Sequence, residues 1–326
     1  MFNTVYADKI GNLYYVYNAL MPLRGSDAYN WNGIVPGNTI NSLWQGYFDF
    51  EQLPQILNPK SGFLQNCNST PFLATLGDDN PNKSFYPQNL GIESFQTNRA
   101  LRAHETYGSD KSISREEFYK YKFDTKYSDQ SVMALNLKKF LGEASSDNPD
   151  ILEALKLLKN WDLDTDSSTV GMHLAYETIR PTFNPKEYHY DYAKNMKRLK
   201  RIVKWTKDAF GRIDVKWGEV QRLKRGNVDL ALSGGPDILR AIYSSEKEAT
   251  RIGIAGDCYF EIVEWDKKGN VSAQSIHQFG SAIQDSNSIH YNDQAKLFAK
   301  HEMKPVWMKL EDIKLNLEKA YRPGKE

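Results

Sequence analysis

Near the start of the chain, Thr4-Val5-Tyr6-Ala7, then Asp8-Lys9-Ile10-Gly11-Asn12, then Leu13-Tyr14-Tyr15-Val16-Tyr17 predict a β-hairpin. Two short runs of β-branched and aromatic residues flank a turn rich in Asp, Gly and Asn. A strand at residue 4 needs a neighbour, either from later sequence or from residues that precede Met1. From Met21 to Pro59 the periodicity is interrupted by Pro22, Gly25, Gly33, Pro36, Gly37, Pro54 and Pro59, so this stretch reads as a long loop. Trp31, Trp44, Tyr47, Phe48 and Phe50 are its expected anchors over a core.

The middle of the chain changes period. Ser114 followed by Glu117 predicts a capping box for a helix through Phe118 and Tyr121. Helical spacing continues over 131–142, and over 150–160 with Ile151, Leu152, Leu155, Leu157 and Leu158. It reappears over 188–210, where Met196, Leu199, Ile202, Val203, Thr206 and Phe210 share a face. After Gly211, strands are expected at 228–232, 251–254, 259–265 and 271–278, and a last helix at 310–321. Strands, then helices, then strands predict an α+β chain. Residues 1–109 and 211–326 would form a sheet core, with the two ends sharing one sheet, and 110–210 a helical subdomain.

Composition narrows the function classes. With 326 residues, 40% hydrophobic and 25% charged, the chain can bury a sizeable core. Lys and Arg total 42 against 41 Asp and Glu, which leaves no net field to attract nucleic acid or anionic lipid. The one basic run, Lys194, Lys197, Arg198, Lys200, Arg201, Lys204 and Lys207, falls mostly opposite the apolar face and reads as a solvated helix surface. Non-enzymatic binding through 194–207 is the minor alternative. Two cysteines, Cys67 and Cys258, are too few for a disulfide framework and have no zinc spacing. No run is long and apolar enough to span a membrane, and Met1 to Tyr6 lacks the basic start and apolar centre of a signal peptide. The 19 Tyr and 7 Trp are ordinary packing residues or walls of an acyl cleft.

Several motifs fall short of a site. Asp162-Leu163-Asp164-Thr165-Asp166 begins like a calcium loop, but Ser167 stands where glycine is needed and His173 where the bidentate glutamate is needed. A turn between helices is the better reading, so no metal or other cofactor is expected. His290 reads as a hydrogen-bonded structural histidine. There is no G-x-S-x-G elbow and no phosphate-binding glycine loop. Asn66-Cys67-Asn68-Ser69-Thr70-Pro71, after the strand-like Phe63-Leu64, is more informative. In a strand, Asn66 and Asn68 would share a face with Cys67 opposite, and Pro71 would hold Thr70 extended. Taken alone this is an Asx turn. The other reading has one asparagine presenting its amide to an oxyanion while its neighbour fixes the backbone.

The order of further pieces bears on that choice. "YADKIGNLYYVYNALMPLR", "WNGIVPGN", "WQGYFDFEQLP", "NPKSGFLQNCNSTPF", "WGEVQRL", "LSGGPDILRAIY", "GDCYFEIVEWD" and "SIHYNDQAKLF" together resemble the β-chain of the penicillin acylase family. These are N-terminal nucleophile hydrolases that include the aculeacin and acyl-homoserine-lactone acylases. The resemblance implies part of a four-layer αββα sandwich and hydrolysis of N-acyl amides through an acyl-enzyme. It also implies a precursor that cleaves itself to expose a nucleophile at the start of the β-chain, with the α-amine as base. By motif match, the oxyanion-binding asparagine is Asn68 and the arginine that orients it is Arg99 in "FQTNRALR". Structural calcium, an α-chain partner and a periplasmic or secreted location are family properties that no motif here marks. Because the chain starts Met1-Phe2 rather than with a nucleophile, a missing N-terminal β-chain segment is expected. An inactive, truncated or degenerate acylase is the alternative.

Overall fold

The computed structural model describes residues 3–322, apart from 27 and 183, together with residue 324. The opening hairpin forms from Thr4–Ala7 and Leu13–Val16, with Val5 opposite Tyr15. Its turn is closed by the Asp8 carboxylate, which accepts from Ile10 N, Asn12 N and Asn12 Nδ2. Gly11, at φ 92°, takes the left-handed position that a side chain would resist. Gln55–Leu57 adds a third antiparallel strand, and Tyr15, Val16 and Tyr17 pack inward with Met21, Leu53, Ile56 and Leu90.

The expected single sheet joining both ends does not form among the described residues. Val228–Ala231, Gln221–Arg225, Thr250–Gly256 and Ile242–Lys247 lie in that order in a separate four-stranded sheet, with only the central pair parallel. Tyr259–Trp265, Val271–His277 and Lys304–Pro305 make a third sheet. Most strands pair with a neighbour close in sequence, which costs less loop-closure entropy than pairing across some 200 residues. The loop after Met21 contains a small antiparallel pair, Pro22–Arg24 with Trp44–Tyr47. Of its five expected aromatic anchors, Phe48 packs on the first core. Trp31 donates to Ser26 O beneath the Arg24 guanidinium. Trp44, Tyr47 and Phe50 are about half exposed, so they anchor nothing.

Between the sheets lie Arg115–Lys122, Val132–Glu143, Pro149–Asn160, Met172–Ile179 and Tyr192–Phe210. Caps set their starts: the Ser114 and Glu117 box is present, and Ser131, Asn148 and Asp191 accept from first-turn N–H groups. Met133, Phe140, Leu158, Leu199, Ile202, Val203 and Trp217 fill the core between them, each large aliphatic contributing roughly 2 kcal/mol by burial. On the opposite face of Tyr192–Phe210, Arg201 pairs with Glu177, Lys204 with Asp208 and Lys207 with Asp150. Much of the basic run is therefore neutralised locally. Asp162 holds Lys126, Asp164 accepts from Thr125 Oγ1 and Asp166 from Ser168, so these carboxylates organise a turn. The last helix, Leu310–Leu315, is shorter than its pattern suggested. It buries no residue, and a short helix without tertiary packing is poorly supported.

Candidate active site

No strand runs into the asparagine pair. Residues 63–70 are irregular, so the alternation of faces expected for Asn66, Cys67 and Asn68 does not apply. Hydrogen bonds shape the segment instead. Gln65 N donates to Ala74 O and Gln65 Nε2 to Leu73 O, both at 2.9 Å. Thr70 N donates to Phe95 O, and Thr97 Oγ1 to Cys67 O, both at 3.0 Å. Thr70 is extended before Pro71, at φ −52° and ψ 136°, as the proline requires. Asn66 Oδ1 accepts from Asn68 N at 3.2 Å, an Asx turn that accompanies Asn68 in the left-handed region at φ 54°, which asparagine tolerates well. Asn66 also exchanges bonds with Asn3, donating Nδ2 to Asn3 O at 3.2 Å and accepting from Asn3 Nδ2 at 3.3 Å. The start of the described chain is thereby tied two residues from Asn68.

Asn68 faces Arg99. Both Nη1 and Nη2 of the guanidinium donate to Asn68 Oδ1 at 3.2 Å. A guanidinium only donates, so this contact fixes which end of the amide is oxygen and leaves Nδ2 to donate elsewhere. Two charged donors on Oδ1 also polarise the amide, which strengthens the remaining N–H groups. Arg99 is the second residue of the helix Asn98–Ala103, whose Thr97 cap accepts from Ala100 N.

Behind Arg99 lies Asp237, 8% exposed. Its Oδ1 accepts from Arg99 Nε at 3.2 Å and its Oδ2 from Asn98 N at 2.7 Å. Asn98 Nδ2 donates to the Asp237 carbonyl at 2.7 Å. Burial pushes the Asp237 carboxyl up to about 6, against the opposing pull of the Asn98 N–H and Arg99. Sequence reading did not single out Asp237, one of 41 acidic residues with no local pattern. The piece "LSGGPDILRAIY" contains it and was the available signal.

Asn68, Thr97 and Arg99 line a cleft of about 560 Å³ with Ala241, Tyr243, Gly256 and Asp257, and Asp237 lies behind it. Gly256, at φ 111°, allows the wall to close: a Cβ there would meet Ala241 O at 2.2 Å. The Asp257 carboxylate is held by Arg240 at 3.4 Å and Lys122 at 3.6 Å. The nearby nucleophilic side chains are poorly placed to attack. Thr97 Oγ1 is committed to Cys67 O and Ala100 N, and burial pushes the Cys67 thiol up to about 11. His290 lies elsewhere, between Asp293 at 2.8 Å and Glu318 at 2.7 Å, with its pKa raised by those bonds. The cleft thus holds an amide oriented by Arg99, with the Arg99 guanidinium and the Asp257 carboxylate both in its wall; an amide N–H held this way is the kind of group that can stabilise a developing oxyanion.

Comparison with known proteins bears on the family and the fold. The penicillin amidase family profile matches residues 1–315. Penicillin G acylase of Escherichia coli is 39% identical over 69 residues, 21% of this chain and 8% of that protein. An acyl-homoserine lactone acylase of Pseudomonas fluorescens is 29% identical over 94 residues, 27% of this chain and 12% of that protein. The matched stretches therefore span a small part of these curated relatives. The solved structure of a thermostable penicillin G acylase from Alcaligenes faecalis superposes with a TM-score of 0.58 at 18% identity, covering 98% of this chain and 67% of that one. The fold is the mixed helix-and-sheet fold of that penicillin G acylase. With the profile running through residue 315 of 326, this chain belongs to the penicillin amidase family.

Proposed function

We propose that the chain carries the oxyanion-binding part of an N-acyl amide hydrolase. The reaction cleaves an amide to a carboxylic acid and an amine through an acyl-enzyme. A nucleophilic oxygen or sulfur adds to the carbonyl carbon, the carbonyl electron pair moves onto oxygen, and Asn68 Nδ2 donates to that oxyanion. Collapse re-forms the carbonyl and breaks the C–N bond, the amine leaving with the proton that the nucleophile gave up; water then adds to the acyl-enzyme, and the acid departs as the nucleophile regains its proton. Arg99 keeps Oδ1 turned away from the oxyanion. The observation that carries this proposal is the pair of 3.2 Å bonds from Arg99 to Asn68 Oδ1 at the edge of a cleft.

The attacking group in this mechanism belongs to polypeptide outside these 326 residues. In support, Thr97 and Cys67 are poorly placed to attack, by their bonding and burial. The substrate is an N-acylated small molecule of the class named for the relatives, penicillins or acyl-homoserine lactones. The test is turnover of a chromogenic acyl-anilide by the assembled enzyme. Asn68→Ala should lower turnover by ~100-fold or more, with a loss of stability of about 1–2 kcal/mol from alanine in the left-handed region that leaves the protein folded. Near-normal turnover would remove Asn68 from the reaction, and steady turnover by the purified 326-residue chain would contradict an external nucleophile.

A further inference from the structure

We infer that Asp237 is a positioning residue for the Asn68 amide, acting through Arg99 as a carboxylate–guanidinium–carboxamide relay. This role depends on the proposed function of Asn68, but its physical coupling can be measured without turnover. The guanidinium is held along two edges: Nε to Asp237 Oδ1, and both Nη groups to Asn68 Oδ1. A planar fork bound on one edge has little freedom to rotate on the other, so the carboxylate sets where the Asn68 oxygen must lie.

Asp237 is itself rigidly mounted. It sits at φ 59°, a left-handed conformation that Asp visits more readily than most residues, and bonds from several elements hold it there. Those bonds are specific. Gly234 O accepts from Trp217 Nε1 at 2.8 Å and Gln221 Nε2 at 2.9 Å. Pro236 O accepts from Tyr127 Oη at 2.8 Å, and Asn98 grips the Asp237 carboxylate and carbonyl. Gly234, at φ 96°, lies so close to Arg240 O that a Cβ would approach it to 2.2 Å. This loop binds nothing that the proposed reaction uses directly, yet it is braced from several elements and its one carboxylate points at Arg99.

The relay should also be sensitive to protonation. A neutral Asp237 accepts more weakly from Arg99, and burial places its titration at about 6. The charged and titratable groups around it are Arg99, Tyr243, Tyr127 and Cys67, with Glu93, Tyr176 and Glu187 across the adjoining cavity of about 670 Å³. The tyrosines and Cys67 have pKa values raised by burial, so they do not ionise in that window.

The experiment is a pH titration followed by the side-chain amide signals of protein labelled with 15N-asparagine, the Asn68 pair being identified by its loss in Asn68→Ala. The expected result is a shift of the Asn68 Nδ2 signals with a midpoint near 6. Asp237→Asn, which leaves Glu93 and Glu187 in place, should abolish the shift, and Asp237→Glu should restore it in part. Arg99→Lys removes the fork without touching Asp237 and should also uncouple Asn68. An Asn68 signal that does not move as pH is carried from 3.8 through and beyond about 6, or that titrates identically in Asp237→Asn, overturns the relay. If the coupling is present but Asn68→Ala retains turnover, the relay stands and the proposed function fails.

Discussion

Glu177 and Asp237 are both buried carboxylates paired with arginine, yet they behave in opposite ways. Burial alone would raise the Glu177 carboxyl, but Arg180 at 2.7 Å, Arg201 at 2.6 Å and the buried Arg251 outweigh it, and the group is held below its ordinary value. Asp237 has one guanidinium and the peptide N–H groups of Asn98 and Arg99, and burial wins. Several cations around one acid make a fixed staple between the helix Met172–Ile179 and the strand Thr250–Gly256. One cation shared between an acid and an amide makes a junction whose charge is only just maintained. The over-compensated acid lies in the scaffold, and the under-compensated one backs the cleft. Perturbed carboxylates of the second kind tend to mark functional sites.

The comparison is broken most forcefully at the scaffold end. Glu177→Ala strands Arg251, whose side chain is 7% exposed, and should cost on the order of 3–5 kcal/mol in denaturant unfolding. A loss below about 1 kcal/mol would show that the cluster is not a staple. Because its pKa is lowered from 4.5, the Glu177 contribution is present at neutral pH and is lost as pH falls through the still lower folded value.

Asp237 carries the opposite sign. Its pKa rises from 3.8 to about 6 on folding, so the folded state holds the proton more tightly than the unfolded chain. Its favourable contribution is complete below pH 3.8 and is lost as pH rises to about 6, on the order of 3 kcal/mol across that window. Asp237→Asn cannot titrate. Its unfolding free energy should gain on the parent by that order as pH rises through the window, while Glu177, common to both proteins, cancels. A difference that is flat with pH, or that runs the other way, would remove the contrast between the two acids. Smaller still, Thr97→Ala deletes a helix cap and the tie to Cys67 O and should cost about 1 kcal/mol. No measurable loss would mean that other bonds hold the loop.

Elements governed by local rules were legible in the sequence. The Ser114 and Glu117 capping box, the hairpin around Gly11 and the amphipathic helix ending at Gly211 all depend on residues within one or two turns. The helix Met172–Ile179 gave no periodic signal because every residue except Tyr176 is buried, so there is no polar face to alternate with. The strand Gln221–Arg225 was missed because part of its support is a parallel pairing with Thr250–Gly256. At the site, the residues themselves pointed to the Asn-x-Asn pair, resemblance selected Asn68 and added Arg99, and the structure brings Asn68 and Arg99 into contact. Asp237 reaches Arg99 across 138 positions, a separation that no local pattern encodes.

The central claim is that Arg99 acts through the carboxamide of Asn68, and a double-mutant cycle on turnover of the assembled enzyme tests it most directly. If the two side chains form one unit, adding Arg99→Lys to Asn68→Ala should cost no further activity, although Arg99→Lys alone is harmful. Losses that multiply in the double variant would mean that the two residues act independently and would contradict the oriented-amide mechanism.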